Sequence, residues 1–321
     1  VGIGGVFRAL RTIPVMLDFA RDMQEVCPDA WFLNYTNPMA VLTNVMITHG
    51  GIKTVGLCHS VQVCVPDLFR HLGMDATGVQ SKIAGINHMA WLLEVTKDGV
   101  DLYPEIKRRA REKQKEKHYD MVRFELMFKF GYYVTESSEH NAEYHPYFIK
   151  STHPELIEQL NIPLDEYPRR CVNQIESWKR MREELVNNKQ LQHERTHEYA
   201  SYIFEAMETN VPFKIGGNVM NTGLITNLPK EACVEVPCLV DRSGVQPTYI
   251  GDLPPQLAAL NRTNINTQLL TIEAAITRKR EHVYHAAMLD PHTAAELTLD
   301  EIVALCDDLI EAHGDWLPKF H

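Results

Sequence analysis

Two short apolar segments near the start of this chain, each followed directly by a helical pattern, constrain its fold most. Residues 31–36 and 54–57 are rich in aromatic or β-branched side chains, and apolar residues at helical spacing follow both segments. Short apolar runs of this kind are typical of buried strands in a parallel sheet. Because strand and helix alternate, we predict an α/β fold with helices on the faces of a parallel sheet.

The alternation of strand and helix stops after about residue 98. Charged helices are predicted within residues 104–130 and 171–186, further helices within 194–209, 257–288 and 299–313, and β-structure within 213–240. A chain of 321 residues is long enough for two domains. We therefore predict an α/β domain over residues 1–98 and an α+β domain over residues 99–321.

Charge and cysteine content restrict the possible partners and compartment. The formal net charge is -10, so the chain has no general electrostatic attraction to nucleic acid or to anionic membranes. No apolar run approaches the ~18 residues of a membrane span. We therefore predict neither nucleic-acid nor membrane partners. The 7 cysteines form no compact framework, which favours a reducing compartment with thiols that are structural or bind metal.

Polar side chains follow the predicted strands of the first domain. Asn37 stands just before a helix, Cys58 and His59 stand before another, and Asn87 and His88 follow a third apolar run. Open α/β sheets bind ligands at the carboxyl edge of their strands, so we expect these side chains to meet there. Thiolate and imidazole are good ligands for a divalent transition metal. Two protein ligands would leave positions open for a substrate that chelates through two oxygens.

Structural roles for the same residues fit the pattern as well. A cysteine and a histidine thirty positions apart do not form a known metal-binding motif. Their spacing alone therefore favours structural roles, in which Cys58 is a small buried hydrophobe and His88 a core histidine. Asn37 could equally cap the following helix. Tyr199 lies on the apolar face of a predicted helix, where a tyrosine is usually part of the core.

Six segments together resemble glycoside hydrolase family four, most closely its α-galactosidase branch. They are NYTNPMA at 34–40, GLCHSV at 56–61, GINHM at 85–89, ESSEH at 136–140, HEYA at 197–200 and NVMNTG at 218–223. The segments occur in order over most of the chain, which makes the resemblance more specific than any one of them. It implies a Rossmann-like sheet of the lactate and malate dehydrogenase type, and it favours chemical roles for Cys58, His88 and Tyr199.

The resemblance implies two cofactors, NAD⁺ and Mn²⁺, and the hydrolysis of α-galactosides. NAD⁺ would take a hydride from the sugar C3, and the resulting ketone would acidify the proton on C2. A base would remove that proton, the substituent on C1 would leave, water would add, and the ketone would be reduced again. The metal would act as a Lewis acid between the C2 and C3 oxygens and stabilise the enediolate.

Roles for individual residues follow from the resemblance position by position. It makes Cys58 and His88 the metal ligands and Tyr199 the C2 base. His59 would contact the sugar or assist protonation of the leaving group. Asn37, Asn87 and His140 would be substrate contacts, with Asn37 and Asn87 beside the nicotinamide and Asn37 also a cofactor contact. We also expect a cytoplasmic enzyme that forms a homodimer or homotetramer.

We expect the start of the chain to lack part of the family's dinucleotide-binding domain. Gly4 and Gly5 resemble half of a phosphate-binding loop, but no strand precedes them and no third glycine follows at the required spacing. Residues 4–9 resemble a segment well inside the family's first domain. We therefore expect the chain to lack one or two βαβ units of roughly 30 residues each and to bind NAD weakly or not at all.

Three other functions stay open at this point. The first is an α-glucosidase or α-galacturonidase of the same family. The second is a hydroxy-acid dehydrogenase, which should pair a catalytic histidine with an aspartate and needs no metal-binding cysteine. The third is an inactive fragment that serves only in sugar binding or subunit interaction.

Overall fold

The computed structural model describes residues 2–188, 190 and 194–321. The strands in this part of the chain are β1 (Phe32–Asn34), β2 (Thr54–Leu57), β3 (Gln80–Ile86), β4 (Met89–Lys97), β5 (Val100–Asp101), β6 (Tyr133–Val134), β7 (Phe213–Met220), β8 (Cys233–Asp241) and β9 (Gly244–Pro247). The helices are α1 (Gly2–Val26), α2 (Met39–Thr48), α3 (His59–Leu72), α4 (Tyr103–Lys113), α5 (Met121–Phe130), α6 (Ser138–Tyr144), α7 (Glu155–Gln159), α8 (Glu166–Asn187), α9 (Tyr199–Thr209), α10 (Pro255–Thr277), α11 (Arg280–Met288), α12 (Pro291–Glu296) and α13 (Leu299–His313).

All of these strands belong to one mixed sheet. Its order is β1-β2-β7-β8-β3-β4-β5, with β6 paired to β4 and β9 paired to β8. Strands β1 and β2 are parallel, with Leu33 opposite Val55, and the pairs that continue the sheet are antiparallel. The α/β fold is confirmed, and the predicted parallel arrangement holds for the first two strands.

Asn87 follows an antiparallel strand, whereas the predicted parallel sheet would place it at the carboxyl end of a third parallel strand. Strands β3 and β4 form an antiparallel hairpin, with Ile86 opposite Met89. Asn87 and His88 are the two residues of its turn. A parallel connection needs a crossover of a dozen or more residues, and only two separate these strands.

Strand β2 packs unusually close to α2, which fixes the position of Cys58 at its end. A Cβ atom on Gly56 would lie 2.4 Å from Thr43 Oγ1 and 2.6 Å from Met39 Sδ. Only glycine allows this approach. Helix α3 then runs from His59 to Leu72, and Gly73 with a φ of 64° provides its left-handed C-cap.

The core extends across the predicted domain boundary. One cluster of buried apolar residues joins Val55 and Leu57 of β2 to Ile203 of α9 and Val236 of β8. A second cluster joins α1 and α2 to α10, α11 and α13. The division into residues 1–98 and 99–321 stays a prediction, since strands from both parts share this sheet. Among the described residues, no helix is long and apolar enough to cross a membrane.

Candidate active site and metal centre

Three side chains from distant parts of the chain converge where β2 ends. Cys58 offers a thiol, His88 an imidazole and Glu136 a carboxylate, and one ligand atom from each lies within 4.8 Å of the other two. His88 Nε2 is 3.4 Å from Glu136 Oε2. Cys58 immediately precedes α3, His88 lies in the β3–β4 turn, and Glu136 lies between β6 and α6. The structure thus brings the two predicted metal ligands together and adds a third candidate.

The backbone is strained at two of these three residues. His88 has a φ of 65° and Glu136 a φ of 67°, and residues other than glycine rarely adopt this left-handed conformation. Such residues cost on the order of 1–3 kcal/mol each and cluster at functional sites. Two hydrogen bonds between their flanking residues hold the conformation: Thr135 N donates to Ala90 O at 2.8 Å, and Ala90 N donates to Thr135 Oγ1 at 3.2 Å.

The environment of His88 suits a neutral ligand. Burial is the main cause that lowers the pKa of its imidazole to about 4, so the ring is uncharged at neutral pH. Its Nδ1 lies 3.0 Å from Tyr144 Oη. A metal ion at Nε2 requires the tautomer with hydrogen on Nδ1, and Tyr144 Oη is placed to accept that hydrogen. Metal-binding histidines are commonly oriented by such a second hydrogen bond.

The thiol of Cys58 is protonated until a cation binds beside it. Burial, and next the nearby Glu235 carboxylate, raise the pKa of this thiol to about 12. Glu235 is itself fully buried, and this burial raises the pKa of its carboxyl group to about 7. Asn218 Nδ2 donates to Glu235 Oε1 at 3.0 Å. A cation bound beside these two acidic groups would favour their ionised forms.

A cavity of about 760 Å³ opens beside His88, the one candidate metal ligand among its described lining residues. Asn37, Asn87, His88, His140 and Tyr144 contribute to its wall. The ring of His140 stands edge-on to that of His88, with 5.3 Å between ring centroids. The structure thus places the three predicted substrate contacts at one cavity, next to the candidate ligands.

Tyr199 and His59 are placed differently from the predicted substrate contacts. Neither is among the described residues that line the cavity. Tyr199 is 6% exposed, and its Oη accepts a hydrogen bond from Gly216 N at 3.4 Å. Burial raises the pKa of its phenol to about 12, whereas a base needs a lowered value. His59 Nε2 lies 2.7 Å from Glu198 Oε1 on a side chain that is 55% exposed. The roles of both residues stay predictions.

Three residues of the site have no role in the sequence-based assignment. Glu136 opens the ESSEH segment, but nothing in the sequence marks it as left-handed and directed towards His88. Tyr144 follows in the same polar stretch and orients the His88 ring. Glu235 lies within an apolar strand, and a charged residue inside such a strand is the one signal that could have drawn attention to it.

Comparison with known proteins identifies the family. The model for family 4 glycosyl hydrolases matches residues 1–74, and the model for the C-terminal domain of the same family matches residues 83–293. The chain belongs to glycosyl hydrolase family 4. The family assignment made from the six segments is thereby confirmed, and it makes the chain an O-glycosyl hydrolase.

Relatives within family 4 are similar over the whole chain. An α-galactosidase of Bacillus subtilis is 72% identical over 320 residues, which cover 100% of this chain and 74% of that protein. An α-galactosidase of Rhizobium meliloti is 34% identical over 330 residues, covering 99% of this chain and 67% of that protein. Both relatives are longer than this chain.

Solved structures share the fold at lower identity. A Bacillus subtilis protein described as a glucosidase has a TM-score of 0.84 at 24% identity, over 96% of this chain and 75% of that chain. A 6-phospho-α-glucosidase from gut microorganisms, solved in complex with NAD and Mn²⁺, has a TM-score of 0.78 at 20% identity, over 100% of this chain and 75% of that chain. The mixed sheet described above is therefore the family 4 fold.

Proposed function

We propose that this family 4 enzyme hydrolyses α-galactosides and uses NAD⁺ and Mn²⁺ to do so. The proposal is supported by the 72% identity with an α-galactosidase and by the NAD and Mn²⁺ bound to a protein of the same fold. The observation that carries it is the convergence of Cys58, His88 and Glu136 beside a cavity that Asn37 and Asn87 line.

The three converging side chains fit a divalent first-row transition metal. Thiolate, neutral imidazole and carboxylate are all ligands that such ions accept, and the two anionic groups together balance a 2+ charge. Glu136 joins Cys58 and His88 as a third protein ligand in this proposal. When bound, NAD⁺ supplies reversible hydride removal and the metal supplies Lewis acidity towards sugar oxygens.

The side chains of the cavity wall bind and orient the sugar. The amides of Asn37 and Asn87 can each donate and accept hydrogen bonds, which suits sugar hydroxyl groups. His140 lies beside His88 and extends this polar wall. Asn37 stands next to the residues at the start of α1, where we place the nicotinamide.

Two protons must move at positions outside the cavity wall. Tyr199 is proposed to take the proton from the sugar C2, and a bound dication would lower the pKa of its phenol towards the range that a base needs. His59 is proposed to protonate the leaving group, with Glu198 holding its ring. Support for these two roles comes from the family resemblance.

We propose a cytoplasmic homodimer or homotetramer. The free thiols of all seven cysteines support a reducing compartment. Light scattering of the purified protein tests the oligomeric state, and a monomeric mass contradicts it.

A panel of nitrophenyl glycosides tests the proposed activity. Because this chain is expected to bind NAD weakly, the assay uses the protein at the full length of the relative that it matches. We expect that protein to hydrolyse the α-galactoside only when NAD⁺, Mn²⁺ and a thiol reductant are all present. The α-glucoside and the α-galacturonide are the matched controls for substrate choice, and NAD⁺ reduction by hydroxy acids is the control for a dehydrogenase. Full hydrolysis after removal of NAD⁺ and Mn²⁺ would contradict the proposal.

A further inference from the structure

A buried ion pair lies behind the loop that carries Glu136. The side chains of Asp120 and Arg123 are 1% and 8% exposed, and Arg123 Nε donates to Asp120 Oδ1. The same carboxylate accepts hydrogen bonds from Tyr133 Oη at 2.6 Å and from Ser138 Oγ at 3.1 Å. Asp120 is therefore the common acceptor of three side chains.

Arg123 contacts the same two partners, Tyr133 and Ser138, as Asp120 does. Its backbone N donates to Ser138 Oγ at 3.1 Å, and its guanidinium lies 4.7 Å from the ring centroid of Tyr133. The ion pair and its two partners thus form a closed network, in which each member is fixed by at least two others. Such networks rigidify the segments that they join.

The network holds the chain on both sides of Glu136. Tyr133 lies three residues before Glu136, and Ser138 lies two residues after it. Between them, Thr135 is hydrogen-bonded to Ala90 in both directions. The left-handed residue therefore has an anchored neighbour on either side, which is what a strained conformation needs in order to persist.

We propose that Asp120 is a positioning residue for the metal centre. Its carboxylate holds Tyr133 and Ser138 in place, and these two residues hold Glu136 within reach of Cys58 and His88. This inference rests on the proposed function, because it takes Glu136 as a ligand of a divalent cation.

Stability alone is a weak explanation for this arrangement. Buried ion pairs often stabilise a protein no better than apolar side chains of similar volume, because two charges must leave water. A purely structural network also has no need to fix a glutamate in a left-handed conformation. The desolvation of the ion pair and the strained backbone of Glu136 are both explained if the network serves to orient the Glu136 carboxylate.

Mn²⁺ binding to purified variants tests the inference without any turnover. Electron paramagnetic resonance of free Mn²⁺ gives the dissociation constant for the wild type, Ser138→Ala, Tyr133→Phe and Asp120→Asn. Loss of a partner that orients a metal ligand typically weakens affinity about 10- to 100-fold, and we expect about a 10-fold loss for Ser138→Ala. Thr54→Val is the matched control, because it removes a buried hydroxyl at the far end of β2.

The outcomes separate the inference from the proposed function. If the wild type binds Mn²⁺ and Ser138→Ala and Tyr133→Phe bind it equally well, the inference is wrong and the metal centre stands. If the wild type binds no Mn²⁺, the metal centre itself is refuted, and the inference with it. Asp120→Asn leaves Arg123 buried without a counter-charge and can fail to fold, in which case the two milder variants decide.

Discussion

Metal binding at Cys58 must release a proton, and the burial of this thiol sets the size of the effect. Because burial raises the pKa of Cys58 to about 12, the thiol is protonated at pH 8, about four units below that value. Each unit corresponds to about 1.4 kcal/mol, so forming the thiolate costs about 5 kcal/mol at that pH. A thiol at its usual pKa of 9.0 would need only about 1.4 kcal/mol.

The pH dependence follows directly from this cost. The pKa of His88 is about 4 and that of Glu235 about 7, so neither group takes up or releases much of a proton between about pH 8 and pH 9. Binding of one Mn²⁺ in that range should release one proton, from Cys58, and affinity should rise about tenfold per pH unit. Anaerobic Mn²⁺ titrations followed by electron paramagnetic resonance measure this slope.

Two cysteine variants identify the source of the proton. Cys58→Ser should bind Mn²⁺ weakly and lose the slope, because a serine hydroxyl does not ionise in this range. Cys64→Ala is the matched control: Cys64 lies six residues further along the same segment, is buried, and likewise has a thiol pKa that burial raises to about 12. A slope that persists in Cys58→Ser, or wild-type affinity that is the same at both pH values, would refute the reasoning.

Three further predictions concern single residues. Tyr199→Phe should lower kcat by a factor of about 10²–10⁴ if Tyr199 is the base. The lost hydrogen bond from Gly216 should cost only about 1 kcal/mol of stability. A change in Tm with full turnover would exclude Tyr199 as the base. Glu235→Gln should raise the free energy of unfolding at pH 8 by up to about 3 kcal/mol and leave it unchanged near pH 4. The reason is that the folded-state pKa of about 7 lies above the usual 4.5, so the wild type loses stability as the pH rises between these values. Urea unfolding at both pH values checks this, and an equal difference between variant and wild type at both would contradict it. Gly56→Ala should destabilise the fold by about 1–3 kcal/mol through overpacking. Gly4→Ala should not, because no atom lies within 4 Å of the new Cβ. Equal melting temperatures of the two variants would show that β2 can move away from α2.

Elements with strong local signals could be predicted from the sequence. The glycine at position 73 and the apolar repeat before it indicate the end of α3, and the structure confirms it. The β3–β4 hairpin could not be predicted in the same way, because its turn lacks the glycine that usually accompanies a positive φ. His88 takes that conformation instead, and tertiary contacts rather than local preference hold it there.

The candidate site was predictable only in part, for a similar reason. Cys58 and Asn37 follow strands, so their place at one edge of the sheet follows from the α/β pattern. Glu136 reaches the site through a left-handed backbone and a network centred on Asp120. Neither feature leaves a periodic signal in the sequence. The burial of Tyr199 is likewise a property of the packed structure, although its apolar helix face indicated it.

The fate of the hydrogen on the sugar C2 tests the central claim most directly. Elimination through a C3 ketone must break the bond between C2 and this hydrogen, whereas direct displacement at C1 by a pair of carboxylates leaves it untouched. The measurement is mass spectrometry or proton magnetic resonance of the galactose that the protein releases in heavy water with catalytic amounts of NAD⁺. It uses the protein at the full length of the relative that it matches. The account predicts deuterium at C2 of the product, and no incorporation when Tyr199→Phe replaces the wild type. Galactose that retains its full C2 hydrogen content would contradict the account, whatever the metal requirement.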